Sequence, residues 1–144
     1  AISRLLELGV PHYLIKATLL GVMAQRLVRT LCPHCKAPQT LGEEDWQTLT
    51  RPWQAPLPTH AQRAIGCLEC RDTGYHGRAG VYEIMQLSDG LKVLINPDTD
   101  LLAVRRQAFK EGMRSLRLSG AQKVAAGLTT IEEVLRVTPQ SEQK

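Results

Sequence analysis

Four cysteines in two CxxC pairs, Cys32/Cys35 and Cys67/Cys70, are the residues of this chain whose types and spacing could do chemistry. Two residues between thiolates allow one tight turn to direct both sulfurs at a single ion, and two such turns complete a tetrahedral shell. Zn²⁺ accepts that shell with bonds of about 2.3 Å, and a mononuclear iron accepts the same four sulfurs. The spacing therefore predicts one metal ion, with zinc favoured by analogy with structural tetracysteine sites.

Such a site is predicted to be structural, because four thiolates leave no coordination position open for water or substrate. His34 lies inside the first pair and could replace a cysteine, but beside four cysteines we expect a solvated or sulfur-contacting imidazole. Two disulfides are the alternative interpretation. It is disfavoured because 144 residues are enough to form a core without such cross-links. Paired thiols instead suit a reducing cytosol.

The composition is that of a globular chain with 43% hydrophobic residues, and no apolar run approaches the ~20 residues of a membrane span. Its 2 Trp, 3 Tyr and 1 Phe are too few for a base-stacking surface. The net charge of +4 is mild, so nucleic acid is not expected as a partner. The sequence opens at Ala1 within an apolar helical pattern, and we expect it to be a piece of a longer protein.

Two helices and a strand are predicted before the first cysteine pair. Ile2, Leu5, Leu6 and Leu8 favour a helix that ends at Gly9. Pro11 should open a second helix, for which we predict a buried stripe of Leu14, Ile15, Thr18, Leu19 and Val22. From Met23 the hydrophobic period changes to two, which predicts a strand leading into Cys32.

The segment between the cysteine pairs is predicted to be poor in core residues and ordered by the metal. It contains four prolines and the acidic run 43–45, and one short helix is expected from about 40 to 49 with Trp46 packed inward. The remainder, up to Gly66, is predicted to be loop.

After the second pair the pattern predicts a strand over 79–87 and then helices to the end. Ser88 or Asp89 should cap a short helix. Asp98 should cap a longer helix with Leu101, Leu102, Arg105 and Phe109 on its inner face, ending near Gly112. A third helix is predicted over 115–126 and should end at Gly127. A capping box at 130–133 should open a last short helix with Ile131, Val134 and Leu135 inward. The polar tail from Thr138 is expected to fray.

Catalytic motifs are absent from the printed sequence. It contains no GxxxxGK[ST] phosphate-binding loop, no HExxH and no GxSxG, and every cysteine belongs to a CxxC pair. The residues alone therefore indicate metal binding and a second, unidentified partner, but no reaction.

The order of these motifs resembles the C-terminal end of the ATPases of type II secretion and type IV pilus assembly, the secretion protein E family. The segments that carry the resemblance are LGVMAQRLVRTLCPHC (20–35), GCLEC (66–70), TGYHGRAGVYEI (73–84) and GLTTIEEV (127–134). The likeness covers nearly the whole chain and is weakest between the cysteine pairs and in the tail. In combination these motifs are specific, although none is so alone.

The resemblance implies an α/β to α+β fold: the C-terminal part of a RecA-like P-loop core with an inserted tetracysteine zinc lobe and a C-terminal helical cap. The corresponding division is 1–31, 32–72 and 73–144. The parent would be a cytoplasmic homo-hexamer, peripherally associated with the bacterial inner membrane through platform proteins, in which ATP hydrolysis drives secretion or pilus extension. ATP and Mg²⁺ would bind outside this fragment, which should be inactive alone. Zn²⁺ would be a structural cofactor.

Three arginines receive separate interpretations. Arg78, on a glycine-flanked turn after the second pair, is the candidate for a subunit contact, because a guanidinium can pair bidentately with a carboxylate. An internal salt bridge or a solvated arginine at the start of the strand is the alternative. Arg26 and Arg29 should face opposite sides of their strand and are expected to be solvated.

Two other functions remain open at this point. A stand-alone zinc module that binds nucleic acid or protein would use the same cysteines, although the segment 32–70 has three basic and four acidic side chains. A redox dithiol pair of the thioredoxin type is less suited, because the motif is duplicated at a distance and lacks a βαβ context.

Overall fold

The computed structural model describes residues 1–138 and has a mixed α/β fold. The predicted tail begins at its last described residue, and residues 139–144 lie outside the described part. The elements in chain order are α1 (Ile2–Glu7), α2 (His12–Thr18), β1 (Gly21–Leu31), β2 (Ala37–Pro38), α3 (Glu43–Thr50), β3 (Gln62–Arg63), a 3₁₀ turn (Leu68–Cys70), β4 (Tyr75–Gln86), α4 (Asp89–Lys92), α5 (Leu101–Lys110), α6 (Leu116–Ala125) and α7 (Ile131–Val137).

The chain forms two compact units. The first unit consists of Ala1–Ala24 and Glu83–Arg114, and the second unit consists of Gln25–Tyr82 and Ser115–Lys144. The division falls inside the paired strands β1 and β4, so each strand contributes to both units. The three-part division expected from the family resemblance stays a prediction.

Strands β1 and β4 pair with each other in a two-stranded sheet. The start of β1 lies beside the end of β4, where Leu87 N donates to Leu20 O at 3.0 Å. The end of β1 lies beside the start of β4, where Thr30 Oγ1 donates to His76 O at 2.5 Å. The two strands therefore run antiparallel, and the strand predicted from the change to period two is confirmed, beginning two residues earlier than predicted.

The first unit has its own apolar core. Its buried residues are Ile2, Ile15, Leu87, Leu91, Ile95, Val104, Ala108 and Met113. Pro11 is the N-cap of α2, as expected, but of the predicted stripe of α2 only Ile15 is buried, and Leu14 is 45% exposed. A seven-residue helix is too short for its period to fix which face is covered.

Helix α5 differs from its prediction in both its cap and its inner face. The N-cap is Asp100, whose carboxylate accepts from Leu102 N at 3.0 Å, rather than Asp98. Val104 and Ala108 are buried, whereas Leu101 and Leu102 are 49% and 47% exposed. The helix begins two residues later than predicted. Phe109 of the predicted face packs partly against the core, but the buried stripe is centred on Val104 and Ala108, about 100° around the helix from the predicted one.

The second unit is centred on α3, α6 and α7, which pack against one another. Trp46 and Leu49 of α3 are buried, together with Val124 of α6 and Val134 of α7. The inward packing of Trp46 is confirmed. The prediction that the segment between the cysteine pairs is poor in core residues is wrong for α3, which buries Trp46 and Leu49 against the C-terminal helices.

The rest of that segment also contains one element that was predicted to be loop. Ala37 pairs with Arg63 and Pro38 with Gln62, which forms the short antiparallel ladder β2–β3. Two residues per strand are too few to produce an alternating pattern, so the sequence alone could not predict this pairing.

Helices α6 and α7 begin with side-chain caps at the predicted positions. Ser115 Oγ accepts from Leu118 N at 3.0 Å, and Thr130 Oγ1 accepts from Glu133 N at 3.2 Å. In a complete capping box the Glu133 carboxylate would return to the backbone N–H of Thr130. It instead accepts from the backbone N–H of Arg29, so only half of the predicted box forms.

Candidate metal centre

The four cysteine sulfurs converge on one point of the second unit. All four Sγ atoms lie within 4.8 Å of one another, although the pairs are separated by 31 residues of sequence between Cys35 and Cys67. Cys32 and Cys70 are buried, and Cys35 and Cys67 are half-buried. The cysteines are free thiols rather than disulfides. Among residues 1–138, this is the group of His, Cys, Asp and Glu side chains whose ligand atoms are close enough to hold a metal ion.

Three of the six sulfur–sulfur separations match those of a tetrahedral tetrathiolate. Sγ–Sγ distances are 3.8 Å for Cys32–Cys67, 3.9 Å for Cys35–Cys70 and 3.8 Å for Cys67–Cys70. A regular tetrahedron with zinc–sulfur bonds of about 2.3 Å has edges of about 3.8 Å. The four cysteines could therefore hold a metal such as zinc.

Backbone amides surround the sulfurs. Gly66 N donates to Cys35 Sγ at 3.3 Å, and Cys67 N and Gly74 N donate to Cys70 Sγ at 3.3 and 3.1 Å. Such donors stabilise negative charge on sulfur, which is the form that binds metal. Gly74 has a φ of 84°, and a Cβ there would lie 2.6 Å from the Cβ of Ala64. Glycine is therefore required where the chain leaves the second pair.

Two thiols have shifted acidities in this environment. Burial disfavours the charged form of Cys70, but the N–H groups of Gly74 and Cys67 outweigh it and lower the pKa of this thiol to about 6. For Cys35, the amide of Gly66 lowers the pKa, but burial and the neighbouring sulfurs outweigh it and raise the pKa to about 11. At neutral pH the Cys70 sulfur therefore favours the thiolate, which is the form that binds a cation.

The first cysteine pair is anchored to the loop between α6 and α7. Leu31 N donates to Leu128 O at 2.8 Å, immediately before Cys32. On the other side of the pair, Lys36 Nζ donates to Gly127 O at 2.9 Å. These bonds fix both ends of the first turn to one short segment. Lys36 was not recognised from the sequence, because a single lysine after a CxxC pair carries no signal of its distant partner.

A buried carboxylate links β1 to α7. Glu133 is 1% exposed, and its oxygens accept from the guanidinium groups of Arg29 and Arg136 at 2.6 to 3.3 Å. Arg29 also lies over the ring of Tyr75, with its Cζ 4.2 Å from the centroid. The prediction that Arg29 is simply solvated is wrong. Since Glu133 lies 104 residues further along the chain, no local pattern could identify it as the partner.

The other residues singled out from the sequence lie at the surface. Arg78 is exposed in β4, and within residues 1–138 it takes part in no salt bridge. The alternative of an internal salt bridge is therefore not found in the described part. Arg26 is exposed and donates to the carbonyl of Gln25 at 2.9 Å, as expected for a solvated strand residue. His34 is exposed and is not part of the sulfur cluster.

A comparison with the sequence models of known families shows which family this chain belongs to. The sequence model of the family described as "Type II/IV secretion system protein" matches residues 1–136. This chain belongs to that family. The resemblance predicted from the sequence motifs is thereby confirmed.

Curated relatives of the type II/IV secretion family are 38–46% identical to this chain over the aligned residues. They include the type IV pilus assembly ATPase TfpB of Acinetobacter baylyi, 46% identical over 96% of this chain and 24% of its own length. The type II secretion system protein E of Pseudomonas aeruginosa is 44% identical over 96% of this chain and 27% of its own. The type II secretion system ATPase E of Vibrio cholerae is 40% identical over 98% of this chain and 27% of its own length.

This chain thus spans about a quarter of the length of the relatives it matches. Within residues 1–138, no helix combines the length and the apolar character that a membrane crossing requires.

Proposed function

We propose that this chain is the C-terminal portion of a hexameric ATPase that couples ATP hydrolysis to protein secretion or pilus extension, and that Cys32, Cys35, Cys67 and Cys70 bind one structural Zn²⁺ in it. The observation that supports the zinc assignment is the approach of all four sulfurs to within 4.8 Å of one another, with three of the six separations, 3.8, 3.9 and 3.8 Å, close to the edge of a zinc tetrathiolate. Family membership carries the assignment to the secretion ATPases.

The role proposed for this site is mechanical. A bound zinc would supply a cross-link between two distant turns and, with four thiolates, no open position for a reacting group. The protein residues then set the shape of the lobe: Gly66 N and Gly74 N orient the sulfurs of Cys35 and Cys70. Binding energy for the metal becomes folding energy for the turns that hold it.

The contacts around the first cysteine pair support a coupling role. Leu31 and Lys36 hold the carbonyls of Leu128 and Gly127, and α3 packs against α6 and α7. A displacement of the C-terminal helices would consequently be transmitted to the metal lobe as a rigid-body motion. Motors of this class need such bodies, since hydrolysis does its work at the phosphates and must reach neighbouring subunits.

The remaining parts of the proposal concern the parent protein. ATP and Mg²⁺ would bind to a P-loop in the part of the parent that this chain does not include, so the isolated chain would not hydrolyse ATP. The parent would be cytoplasmic and held at the inner membrane by platform proteins, without nucleic acid. Arg78 is proposed as a subunit contact, because its guanidinium is exposed and has no salt bridge within residues 1–138.

The zinc assignment is tested by elemental analysis of the purified chain. We expect one zinc per chain and no iron, and we expect the double variant Cys67→Ser/Cys70→Ser to bind none. His34→Ala is the matched control, since His34 lies within the first pair but outside the sulfur cluster, and it should retain the metal. Iron in place of zinc, or full zinc content in the serine variant, would refute the assignment.

The coupling role is tested in the full-length parent. The Cys67→Ser/Cys70→Ser variant should bind nucleotide normally yet fail to support secretion or piliation in cells. Normal transport by a variant that lacks the metal would refute coupling through this lobe while leaving zinc binding intact. For Arg78, Arg78→Ala should weaken subunit assembly measured by analytical ultracentrifugation, whereas Arg26→Ala, equally exposed on β1, should not.

A further inference from the structure

The four cysteines of the sulfur cluster differ in their access to solvent. Cys32 is completely buried, and Cys70 is 6% exposed. Cys35 and Cys67 are half-buried. Cys67 is followed directly by Leu68, which is 93% exposed, so the turn that carries this cysteine lies at the surface. A small neutral oxidant such as hydrogen peroxide therefore reaches Cys35 and Cys67 more readily than the other two cysteines.

The cysteines also differ in the hydrogen bonds that their sulfurs accept. Backbone N–H groups donate to the sulfurs of Cys35, Cys67 and Cys70. Such a donor withdraws electron density from a thiolate and weakens it as a nucleophile. Within residues 1–138, Cys32 Sγ accepts from no backbone N–H group, and it lies 3.8 Å from Cys67 Sγ. Cys32 is therefore the sulfur that can best attack an oxidised neighbour, and this step needs no access to solvent.

Of the two accessible cysteines, Cys67 has the better partner for such a step. The sulfur at 3.9 Å from Cys35 Sγ is that of Cys70, and two backbone N–H groups already donate to it. Redox-sensitive cysteines combine access to solvent with a second cysteine close by. Cys67 provides the access and Cys32 provides the second sulfur, so together they meet both conditions.

We propose that Cys67 is a site of reversible oxidation by peroxide, and that Cys32 converts the oxidised sulfur to a disulfide. The Cys67 thiolate attacks one peroxide oxygen, the O–O bond breaks and hydroxide leaves, which produces a sulfenic acid. The Cys32 thiolate then attacks this sulfur, the S–S bond forms, the S–O bond breaks and a second hydroxide leaves. Two electrons pass from the two sulfurs to peroxide, which becomes two water molecules after uptake of two protons.

This oxidation would replace one cross-link by another. Two thiolates remain, which are too few for a tetrahedral zinc shell, so the ion would be released. The disulfide joins the same two turns that the ion would join, so the lobe keeps their connection while it is oxidised. A disulfide between Cys67 and Cys70 would instead leave the two turns unconnected. The release of the ion rests on the proposed zinc site, whereas the reaction of the two sulfurs does not.

The test is treatment of the purified chain with hydrogen peroxide, followed by trypsin digestion without reductant. Cys32 and Cys35 belong to the tryptic peptide 30–36, and Cys67 and Cys70 belong to the peptide 64–71. We expect a disulfide between the two peptides, which fragmentation in the mass spectrometer places at Cys32 and Cys67. A chromogenic chelator should detect about one zinc ion released per disulfide formed. Dimedone, which traps sulfenic acids, should label Cys67 and prevent the disulfide.

Any of three results would overturn the proposal: a disulfide within the peptide 64–71, preferential labelling of Cys35 or Cys70 by dimedone, or no disulfide at all. His34→Ala is the control and should form the same disulfide, because neither step uses the imidazole. Elemental analysis of the sample before oxidation tests the zinc assignment separately. A chain that holds no metal and still forms the Cys32–Cys67 disulfide would refute the zinc site and support the site of oxidation.

Discussion

Replacing Glu133 by glutamine tests the strongest electrostatic feature of the second unit. Although burial of the carboxyl group would raise its pKa, hydrogen bonds from Arg136 and Arg29 outweigh this effect and lower the pKa from 4.5 to about 2. Glutamine keeps the size of the side chain but cannot accept from both guanidinium groups and from the backbone N–H of Arg29. The variant should therefore lose most of the stabilisation without creating a cavity.

The magnitude follows from the pKa. Lowering it from 4.5 to about 2 corresponds to ~3 kcal/mol, at about 1.4 kcal/mol per pH unit. The arginine side chains are 47% and 57% exposed, so solvent screens part of this interaction, and we expect a loss of about 2–3 kcal/mol at pH 7. Because the folded pKa lies below the unfolded value, the contribution is complete above pH 4.5 and disappears as the pH falls towards 2.

Urea denaturation followed by tryptophan fluorescence measures this effect. Both tryptophans, Trp46 and Trp53, lie in the same unit as Glu133. The difference in unfolding free energy between wild type and Glu133→Gln should narrow between pH 4.5 and 3. If the proposed metal dissociates at low pH, it does so from both proteins, so its effect cancels in this difference. The exposed neighbour Glu132→Gln should change stability by less than about 0.5 kcal/mol. A similar small value for Glu133→Gln, or a difference that does not depend on pH, would refute this account.

Three further changes have definite expected outcomes. Removing the proposed metal with a chelator should lower the urea midpoint of the second unit. Trp46 should keep the emission of a buried indole, since α3 packs on α6 and α7. A shift to the emission of an exposed indole in the absence of urea would contradict this expectation. Gly120→Ala should lower the free energy of unfolding by about 1–3 kcal/mol, measured by thermal denaturation, because the added Cβ would lie 2.5 Å from Val134 Cγ1. An unchanged melting temperature would show that α6 and α7 can move apart without cost. Arg71→Gly should stabilise the metal-bound chain by up to about 1 kcal/mol in urea, because Arg71 has a φ of 57°, and a loss of stability would reveal a missed contact of its side chain.

The sequence predicted those features that depend on near neighbours. Two residues between cysteines, a Ser or Thr before a helix, and a change of period at Met23 are local signals, and each corresponds to an observed feature. The convergence of the two cysteine pairs also followed, because a four-sulfur shell needs both of them. That prediction came from metal coordination chemistry rather than from a sequence pattern.

The features that were missed depend on residues far apart in the chain. The partners Arg29 and Glu133 are separated by 104 residues, and neither sequence neighbourhood indicates the other. The inward packing of Trp46 was predicted, but its partners in α6 and α7 were missed for the same reason, since α3 alone has too few apolar residues to form a core. The inner face of α5 was predicted only in part: Phe109 packs partly against the core, but the exposed Leu101 and Leu102 were assigned to the face, and the buried positions Val104 and Ala108 were not.

The second unit is interrupted in sequence, which has a consequence for its synthesis. Its two parts are separated by Glu83–Arg114, a stretch of 32 residues that belongs to the first unit. At about 5–20 residues per second, the ribosome needs roughly 2–6 seconds to make that stretch. During this interval Trp46 and Leu49 have no α6 or α7 to cover them, while all four cysteines have already been made. Early capture of a metal would then hold the nascent half in place until the C-terminal helices arrive.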